Sequence, residues 1–292
     1  MRSRLSCSGR SVCRWLGFNR STLRYRPKPL PSKKRLIEAQ IVKASKEHPT
    51  LGYKKVTGLM NSMGYRVNKK LVQRVRREEG LQVPHPRRRE RRRGLCTGLP
   101  QKATRRNHVW CWDFIADFTE RGGKLRVFNL IDEYTRECHC IHADRSIKAA
   151  DVLRLLQEAV AVNGPPEYIR SDNGPEFIAR AIQNWLGENN IKTIYIDLGC
   201  PWQNGYAESF NSRFRIECLD RELLFTLSES RVVFKDWRDY YNNVRPHRSL
   251  GLQSPSKFAR KQSTQGLGSG RPTGSLRPGL PSNQHQRSET VS

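Results

Sequence analysis

The sequence is poor in acidic residues: 27 of its 292 residues are Asp or Glu, against 54 Lys or Arg, which leaves a net charge of +27. The imbalance is concentrated in residues 1–100, where 27 basic residues face five acidic ones. The other 192 residues carry only +5 of the total. Such a basic segment favours binding to a polyanion, because neutralising phosphates releases counterions. Nucleic acid is the polyanion we expect, and an anionic membrane surface is the alternative.

Long apolar runs are also missing. No run approaches the roughly 20 residues of a membrane span. The N-terminal stretch MRSRLSCSGRSVCRW contains no apolar segment of signal-peptide length. We therefore expect a cytoplasmic protein with no membrane partner.

Cysteine patterns typical of metal sites are missing too. The eight cysteines include no pair of CxxC clusters, and a cytosolic chain should keep them reduced. Cys138, Cys140 and His142 in RECHCIHAD are predicted to share one face of a strand. A closed zinc site takes four ligands, and no fourth is apparent nearby. We therefore interpret the cysteines as small strand residues.

Residues 1–30 outline a helix-turn-helix. The stretch SVCRWLGFNRSTLRYRPKP predicts two short helices around Gly17 and Phe18, the second ending before a proline. Arg20 and Arg24 fall on the second helix, which enters the DNA groove in such motifs, and they are candidate DNA contacts. Any small helical hairpin gives a similar pattern, so alone this signal is weak.

Residues 31–83 predict a second helical DNA-binding unit of three helices, each with one apolar and one basic face. Lys69 and Lys70, in VNKKLVQRVRREEG, are its candidate DNA contacts. An ordinary small bundle with a solvated basic face is the alternative. Two consecutive basic helical units favour DNA binding over that alternative.

Residues 84–104 form an arginine-rich linker, with six arginines in the seven positions 87–93. Blocks of like charge repel and rarely fold alone. We interpret the segment as a basic arm that orders on DNA, through Arg87, Arg88 and Arg89, rather than as a passive linker. Residues 261–292 are rich in Ser, Gly and Pro and poor in apolar residues, and they predict a disordered tail.

Residues 105–260 predict an α/β domain. Three strands follow one another in VWCWDFIADF, LRVFNLIDEY and RECHCIHA. A helix at 148–162, a strand at EYIRS, a helix from 176 to about 188 and a strand at KTIYIDL come next. This order predicts a mixed sheet flanked by helices.

Three acids of this domain are predicted to converge on one edge of the sheet. Asp113 lies in an apolar first strand, Asp172 directly follows a later strand in IRSDNGPEF, and Glu208 lies on the helix after the last strand. A carboxylate cluster on a DNA-seeking protein indicates magnesium, a hard cation that prefers oxygen ligands. Two such ions about 4 Å apart support phosphoryl displacement.

Each acid also has an ordinary interpretation. Asp117 shares the strand face of Asp113 and is equally able to be a ligand. Asp132 is placed to cap the turn before the next strand, and Asp172 in SDNG is typical of an Asx turn. Glu208 fits an exposed helix acid. The set of three, each on the element that a metal-dependent nuclease fold requires, favours the metal site.

These residues resemble a known family, the second-frame (OrfB) transposases of two-reading-frame insertion sequences of group three, which are relatives of retroviral integrases. The resemblance rests on SDNGPEF, PWQNGYAESFNSRFR, YYNNVRPHRSLGLQSP and the N-terminal LGYKKVTGLM, and it covers roughly residues 10–260. The family's ribonuclease H-like core carries two aspartates and a glutamate, the last two separated by 35 residues. Asp172 and Glu208 have that separation here.

The resemblance implies a DDE-type polynucleotidyl transferase that cuts and rejoins DNA at the ends of an insertion sequence. Asp113, Asp172 and Glu208 would hold two Mg²⁺ ions, with Mn²⁺ as a plausible substitute. Arg215, seven residues after Glu208, would reach a phosphate, and Asn204 and Asn211 would contact DNA or orient ligands. Asn173 would support the neighbouring acid.

The implied partners are double-stranded DNA, as transposon ends and target, and further copies of the chain in the DNA complex. The family's leucine-zipper segment comes from its first frame, so a first-frame (OrfA) product or a fusion with it is also implied. Three alternatives remain open: a non-catalytic DNA-binding regulator derived from a transposase, a metal-dependent nuclease without strand transfer, and a retroviral-type integrase. The last carries an N-terminal His-His-Cys-Cys zinc module, which we do not find here.

Overall fold

The computed structural model describes residues 8–26, 32–84, 102–171, 174, 179–196 and 201–266. The chain divides into two compact units, Met1–Arg93 and Gly94–Ser292. Most of the predicted arginine-rich linker and most of the predicted disordered tail lie outside the described residues.

Two short helices open the first unit, α1 (Gly9–Leu16) and α2 (Arg20–Arg24). The Ser8 side chain caps α1 by accepting a hydrogen bond from the backbone N–H of Ser11 at 3.3 Å. Gly17 ends α1 in the left-handed conformation, with φ of 67°, which glycine adopts without a steric penalty. Both helices and the turn between them lie where the sequence predicts them.

Three longer helices follow in the same unit: α3 (Ser32–Glu47), α4 (Tyr53–Ser62) and α5 (Lys69–Glu78). They share one apolar core, whose fully or almost fully buried members include Ile41, Leu51, Val56, Leu59, Met60 and Val72. Most basic residues of these helices face away from this core, as the amphipathic pattern predicts. Arg76 on α5 is an exception: it is buried and donates hydrogen bonds to Ser45 Oγ at 3.3 Å and to the carbonyl oxygen of Leu81 at 2.5 Å. The three helices expected in residues 31–83 are present and share one core, whereas DNA binding by this segment stays a prediction.

A five-stranded sheet in the order β3-β2-β1-β4-β5 forms the centre of the second unit. Its strands are β1 (Val109–Phe118), β2 (Lys124–Asp132), β3 (Cys138–Asp144), β4 (Tyr168–Ser171) and β5 (Lys192–Tyr195). The first three strands are antiparallel neighbours, whereas β4 runs parallel to β1 and β5 runs parallel to β4. The order of elements predicts this mixed sheet, and the family resemblance implies its ribonuclease H-like arrangement.

One face of the sheet is covered by the two crossover helices, α6 (Ala149–Asn163) and α7 (Arg180–Glu188). Alternating strand residues, including Trp110, Trp112 and Phe128, pack against them and are buried. Each such large side chain contributes about 1.5–3 kcal/mol by leaving water. These aromatic strands were recognisable because their composition suits a buried sheet.

The other face is covered by α8 (Gly205–Phe214) and α9 (Leu227–Asn243). The intervening strand positions, including Cys111, Ile115 and Val127, belong to this second core. Because side chains alternate between faces, the odd-numbered residues of β1 point toward α8 and α9. This face carries the candidate site.

A β-bulge in β3 contradicts one prediction made from the sequence. Cys140 and Cys138 pair with two successive residues of β2, so His139 is an extra residue on β3. The two cysteines consequently pack into the cores on opposite faces of the sheet. The prediction that Cys138, Cys140 and His142 share one face is wrong, because the bulge shifts the alternation by one residue.

Two helix bounds also differ from the sequence prediction. Helix α7 begins at Arg180 rather than near 176, and residues 175–178 lie outside the described residues. Helix α10 (Pro255–Gly266) crosses the predicted domain boundary at 260. Pro255 suits the first position of a helix, and Phe258 in the first turn packs against the ring of Tyr134. The helix then continues through a polar sequence. Among the described residues, no helix is long and apolar enough to cross a membrane.

Candidate active site

Asp113 lies in the middle of β1, two residues after Cys111, so its side chain points to the face covered by α8. The residue is half-buried, and its carboxylate accepts hydrogen bonds from a backbone group and from a side chain. Oδ1 accepts from the backbone N–H of Phe114 at 2.8 Å, and Oδ2 accepts from Nδ2 of Asn211 on α8 at 2.7 Å. These bonds offset part of the cost of placing a carboxylate in an apolar strand.

A second amide holds Asn211 in turn. Asn129 lies directly opposite Asp113 on β2, and its Nδ2 donates to Oδ1 of Asn211 at 2.9 Å. Asn129 is fully buried, and its own Oδ1 has no hydrogen-bond partner among the described residues. Sequence reasoning missed Asn129, although an amide at the centre of the apolar strand LRVFNLID was a visible signal.

Glu208 lies in the first turn of α8, three residues before Asn211, and is exposed. The positive end of the helix dipole favours a carboxylate there. Asn204 directly precedes the helix and is buried, and its Nδ2 donates to the backbone carbonyl of Trp112 at 3.5 Å. Asn204 and Asn211 therefore tie α8 to β1 on both sides of Glu208.

Arg215 follows α8 and also contacts β1. Its guanidinium lies 3.5 Å from the Oδ2 of Asp117 and 3.4 Å from the carbonyl oxygen of Ala116. The Arg215 side chain is 46% exposed, so the ion pair is weak. Asp117 thus pairs with an arginine on the face that also carries Asp113.

The predicted second acid, Asp172, and its neighbour Asn173 lie outside the described residues. Strand β4, which leads to them, pairs in parallel with β1, the strand of Asp113. The described part of the predicted triad is therefore Asp113 and Glu208. Within the described ranges, no three His, Cys, Asp or Glu side chains are grouped closely enough to hold a metal ion.

Asp132 is a structural residue, as its sequence interpretation as a turn cap predicts. Its carboxylate accepts hydrogen bonds from the backbone N–H groups of Asn107 at 2.7 Å and of Tyr134 and Thr135 at 2.8 Å. Burial raises its pKa, and these backbone hydrogen bonds oppose the rise. The residue closes the turn between β2 and β3.

Two buried ion pairs brace the elements around the site. Glu133 and Arg170 are both inaccessible to solvent, and Arg170 Nε donates to Glu133 Oε1 at 2.7 Å. This pair links the end of β2 to β4. Burial raises the pKa of Glu133, and the charge and hydrogen bond of Arg170 act against that rise.

The second pair explains part of the motif YYNNVRPHRSLGLQSP. Arg245 makes a two-pronged contact with Glu217, Nε to Oε2 at 2.5 Å and Nη2 to Oε1 at 2.6 Å. Glu217 lies in a π-helical turn, Arg215–Leu219, that directly continues α8. His247 is buried with its ring edge-on to Tyr241. The motif therefore anchors the end of α8.

The candidate DNA contacts of the first unit lie on its surface where they are described. Arg20 and Arg24 are exposed on α2, and Lys69 and Lys70 are exposed at the start of α5. The Asn68 side chain caps α5 by accepting from the backbone N–H of Lys70 at 2.9 Å. Arg87, Arg88 and Arg89 lie outside the described residues.

Three family comparisons match the chain in the order of its units. Residues 31–89 match an HTH-like domain, residues 103–201 match an integrase core domain, and residues 189–255 match a second integrase core domain family. The first match contains α3 to α5, and the other two contain the sheet together with α8 and α9.

Proteins with similar sequences come from insertion elements. The chain is 36% identical over 263 residues to an uncharacterized 31.7 kDa protein of insertion element IS407 from Burkholderia multivorans (strain ATCC 17616 / 249), covering 89% of this chain and 94% of that protein. It is 23% identical over 251 residues to the transposase for insertion sequence element IS904 of Lactococcus lactis subsp. lactis (strain IL1403), covering 82% of this chain and 99% of that protein.

Among solved structures, the chain is similar to the HTLV-2 integrase catalytic core domain in complex with magnesium, with a TM-score of 0.40 and 15% sequence identity. The match covers 53% of this chain and 97% of that domain. The extent of the insertion-element match and the HTH-like and integrase core domains together assign the function. The chain belongs to the family of insertion-element transposases, and it acts in DNA transposition.

Proposed function

We propose that this transposase cuts and joins DNA at the ends of its insertion sequence by phosphoryl transfer, with Asp113, Asp172 and Glu208 as its acidic triad. One observation carries the proposal: the 2.7 Å hydrogen bond from Asn211 to Asp113 ties the helix of Glu208 to the strand of Asp113. Asn211 follows Glu208 by three residues, about one helical turn, so both lie on neighbouring positions of one helix surface.

The acids suit a hard divalent cation, because the donor set consists of carboxylate oxygens, which Mg²⁺ prefers. Asp113, Asp172 and Glu208 would hold two Mg²⁺ ions, with Mn²⁺ as a substitute. When bound, such ions neutralise the charge that develops on the phosphate and increase the acidity of the attacking oxygen.

The chain's own residues supply positioning. Asn211 fixes the carboxylate of Asp113 by donating to Oδ2. Arg215 exchanges its weak pair with Asp117 for a phosphate oxygen, to which a guanidinium donates strong charge-assisted hydrogen bonds. Asn204 holds the start of α8 against β1, and Asn173 would support its neighbouring acid. Orientation of the reacting groups supplies much of the rate enhancement in such chemistry.

The N-terminal unit would hold the DNA. Arg20 and Arg24 on α2, Lys69 and Lys70 on α5, and the Arg87, Arg88 and Arg89 cluster would contact DNA phosphates and bases. The +22 charge of residues 1–100 supports a strong electrostatic contribution to this binding.

We also propose that the active complex contains several copies of the chain on DNA. A first-frame (OrfA) product, separate or fused, would complete recognition of the transposon ends. We further propose that the protein is found in the bacterial cytosol in association with the nucleoid, because its proposed substrate is chromosomal DNA.

The test is a strand-cleavage assay on labelled duplex carrying the ends of the element, with Mg²⁺ or with EDTA. Wild type is compared with Asp113→Asn, Asp172→Asn and Glu208→Gln. Glu158→Gln serves as the matched control, because Glu158 is an exposed helical acid on α6 whose ion pair among the described residues is with Arg154 in its own helix. Binding to the same duplex is measured in parallel.

We expect nicked and joined products that need Mg²⁺ and each of the three acids, with DNA binding retained in all variants. Catalysis by the three acid variants at the wild-type rate would refute the triad. Nicking without joined products would indicate a nuclease. DNA binding without cleavage, by wild type and by a fusion with the first-frame product, would indicate a non-catalytic regulator.

A further inference from the structure

We infer that Asn129 is a positioning residue, whose buried amide orients Asn211 and, through Asn211, the carboxylate of Asp113. The inference rests on the proposed function, since it assigns Asp113 to the reaction. It adds a residue of β2, outside the acidic triad and outside the motifs that carry the family resemblance.

The geometry is a chain of three side chains across two strands and one helix. Asn129 Nδ2 donates to Asn211 Oδ1 at 2.9 Å, and Asn211 Nδ2 donates to Asp113 Oδ2 at 2.7 Å. Asp113 and Asn129 are direct partners in the β1–β2 register. Asn211 therefore lies above both and contacts each.

The direction of this chain follows from the chemistry of the amide. An Asn side chain carries an acceptor oxygen and a donor NH₂ group, and a half-turn about its last bond exchanges them. In the exchanged orientation, the oxygen of Asn211 would face the carboxylate of Asp113, and two acceptors repel each other. The carboxylate of Asp113 accepts only and requires the NH₂ group of Asn211, and the donor of Asn129 reinforces that orientation because it offers a hydrogen to the oxygen of Asn211.

The environment of Asn129 argues against a purely stabilising role. The neighbouring positions of β2 on this face are Leu125, Val127 and Ile131, all of them buried. Asn129 is 0% exposed, and its Oδ1 has no hydrogen-bond partner among the described residues. A buried polar atom without a partner lowers stability, so a leucine of similar size would suit this core better.

Removal of the Asn129 amide should therefore weaken catalysis without lowering the stability of the fold. The experiment compares wild type with Asn129→Leu, Asn211→Leu and the double variant in the full chain. The control is Asn242→Leu, because Asn242 is another amide on this face, although it is half-buried rather than fully buried. It bonds to both backbone groups of Cys138 at 2.9 Å, away from Asp113.

Three quantities are measured for each protein. The first is the nicking rate per folded molecule on duplex carrying the element's ends, as a function of Mg²⁺ concentration. The second is binding of Mn²⁺ without DNA, followed by electron paramagnetic resonance of the free ion. The third is the thermal unfolding midpoint. Asp113→Asn provides the reference for a lost carboxylate.

We expect Asn129→Leu to lower the nicking rate or the metal affinity by about 10- to 100-fold, the usual effect of removing a residue that orients a ligand. Its unfolding midpoint should equal or exceed that of wild type. The double variant should match Asn211→Leu, because Asn129 acts only through Asn211. Asn242→Leu should lower the midpoint and keep the wild-type nicking rate per folded molecule.

The inference would be overturned if Asn129→Leu kept both the wild-type nicking rate and the wild-type Mn²⁺ affinity. It would also be overturned if the fold-loss of nicking rate in the double variant equalled the product of the fold-losses in the two single variants. Asn129→Val, which is smaller, is judged by the same criteria if the leucine variant does not fold. A wild-type protein that neither nicks DNA nor binds Mn²⁺ would overturn the proposed function and this inference with it. If wild type is active and Asn129→Leu behaves like it, the inference about Asn129 fails and the proposed function stands.

Discussion

The buried pair of Glu217 and Arg245 makes a strong prediction about stability. The two side chains are 3% and 2% exposed and are joined by hydrogen bonds of 2.5 and 2.6 Å. Burial lowers the pKa of Arg245, but the hydrogen bonds and charge of Glu217 outweigh burial and the pKa is raised overall. Arg245 therefore stays charged in the folded protein.

Replacement of one partner should be costly, because the other charge is left buried. At an effective dielectric constant of about 20, two charges about 4 Å apart attract by about 4 kcal/mol. Breaking a buried pair from one side typically costs about 3–5 kcal/mol. We therefore expect Glu217→Gln and Arg245→Met each to lower the free energy of unfolding by that amount. The double variant Glu217→Met, Arg245→Met should recover most of the loss, since two apolar side chains leave no unpaired charge.

The measurement is urea unfolding followed by tryptophan fluorescence, which is dominated by the second unit because five of the six tryptophans lie there. Glu158→Gln, which breaks the exposed pair between Arg154 and Glu158, is the control and should cost less than about 0.5 kcal/mol. A Glu217→Gln variant within about 1 kcal/mol of wild type would refute the reasoning. A double variant as unstable as the sum of the two single variants would refute it as well.

Two further predictions concern pH and salt. The pKa of His139 is lowered to about 3, chiefly by burial and then by the charges of Arg106 and Arg238. The unfolded chain takes up that proton at about pH 6.5. Stability should therefore fall from about pH 6.5 toward pH 3, by up to about 1.4 kcal/mol per pH unit from this residue. His139→Phe should flatten that slope in urea unfolding between pH 7 and 4.5, and equal slopes would contradict the assignment. Arg215→Gln should leave stability within about 1 kcal/mol of wild type, because its pair with Asp117 is exposed. It should reduce the salt dependence of binding to the element's ends by one phosphate contact, a change of about 0.9 in the slope of log K against log salt. An unchanged slope would remove Arg215 from the DNA interface.

Local sequence was sufficient for most of the elements. The short helix pair around Gly17, the amphipathic helices α3 to α5 and the strands β1 to β3 lie where periodicity and composition predict them. Asp132 closes the turn that its position after a strand predicts. These features depend on residues close together in the chain, so their signals survive in the sequence.

The errors arose where distant residues decide the structure. The bulge at His139 places Cys138 and Cys140 on opposite faces, and strand alternation alone cannot reveal an inserted residue. Helix α10 extends to Gly266 through a polar sequence because its first turns pack on the rest of the domain. Intrinsic propensity is a weak signal beside such packing.

The sequence by itself determined the family and the mixed α/β class, because these depend on motifs and on the order of elements along the chain. The assignment of Asp113, Asp172 and Glu208 as the acidic triad stays a prediction from the same motifs. Only the tertiary structure decided which side chains meet. It brings Asn129, Asn211 and Asp113 into one hydrogen-bonded chain across separations of up to 98 residues, and it joins Glu217 to Arg245. The reason is physical: a buried polar group must find its partner in space, and the partner of each amide or charge is set by how α8 packs on β1 and β2.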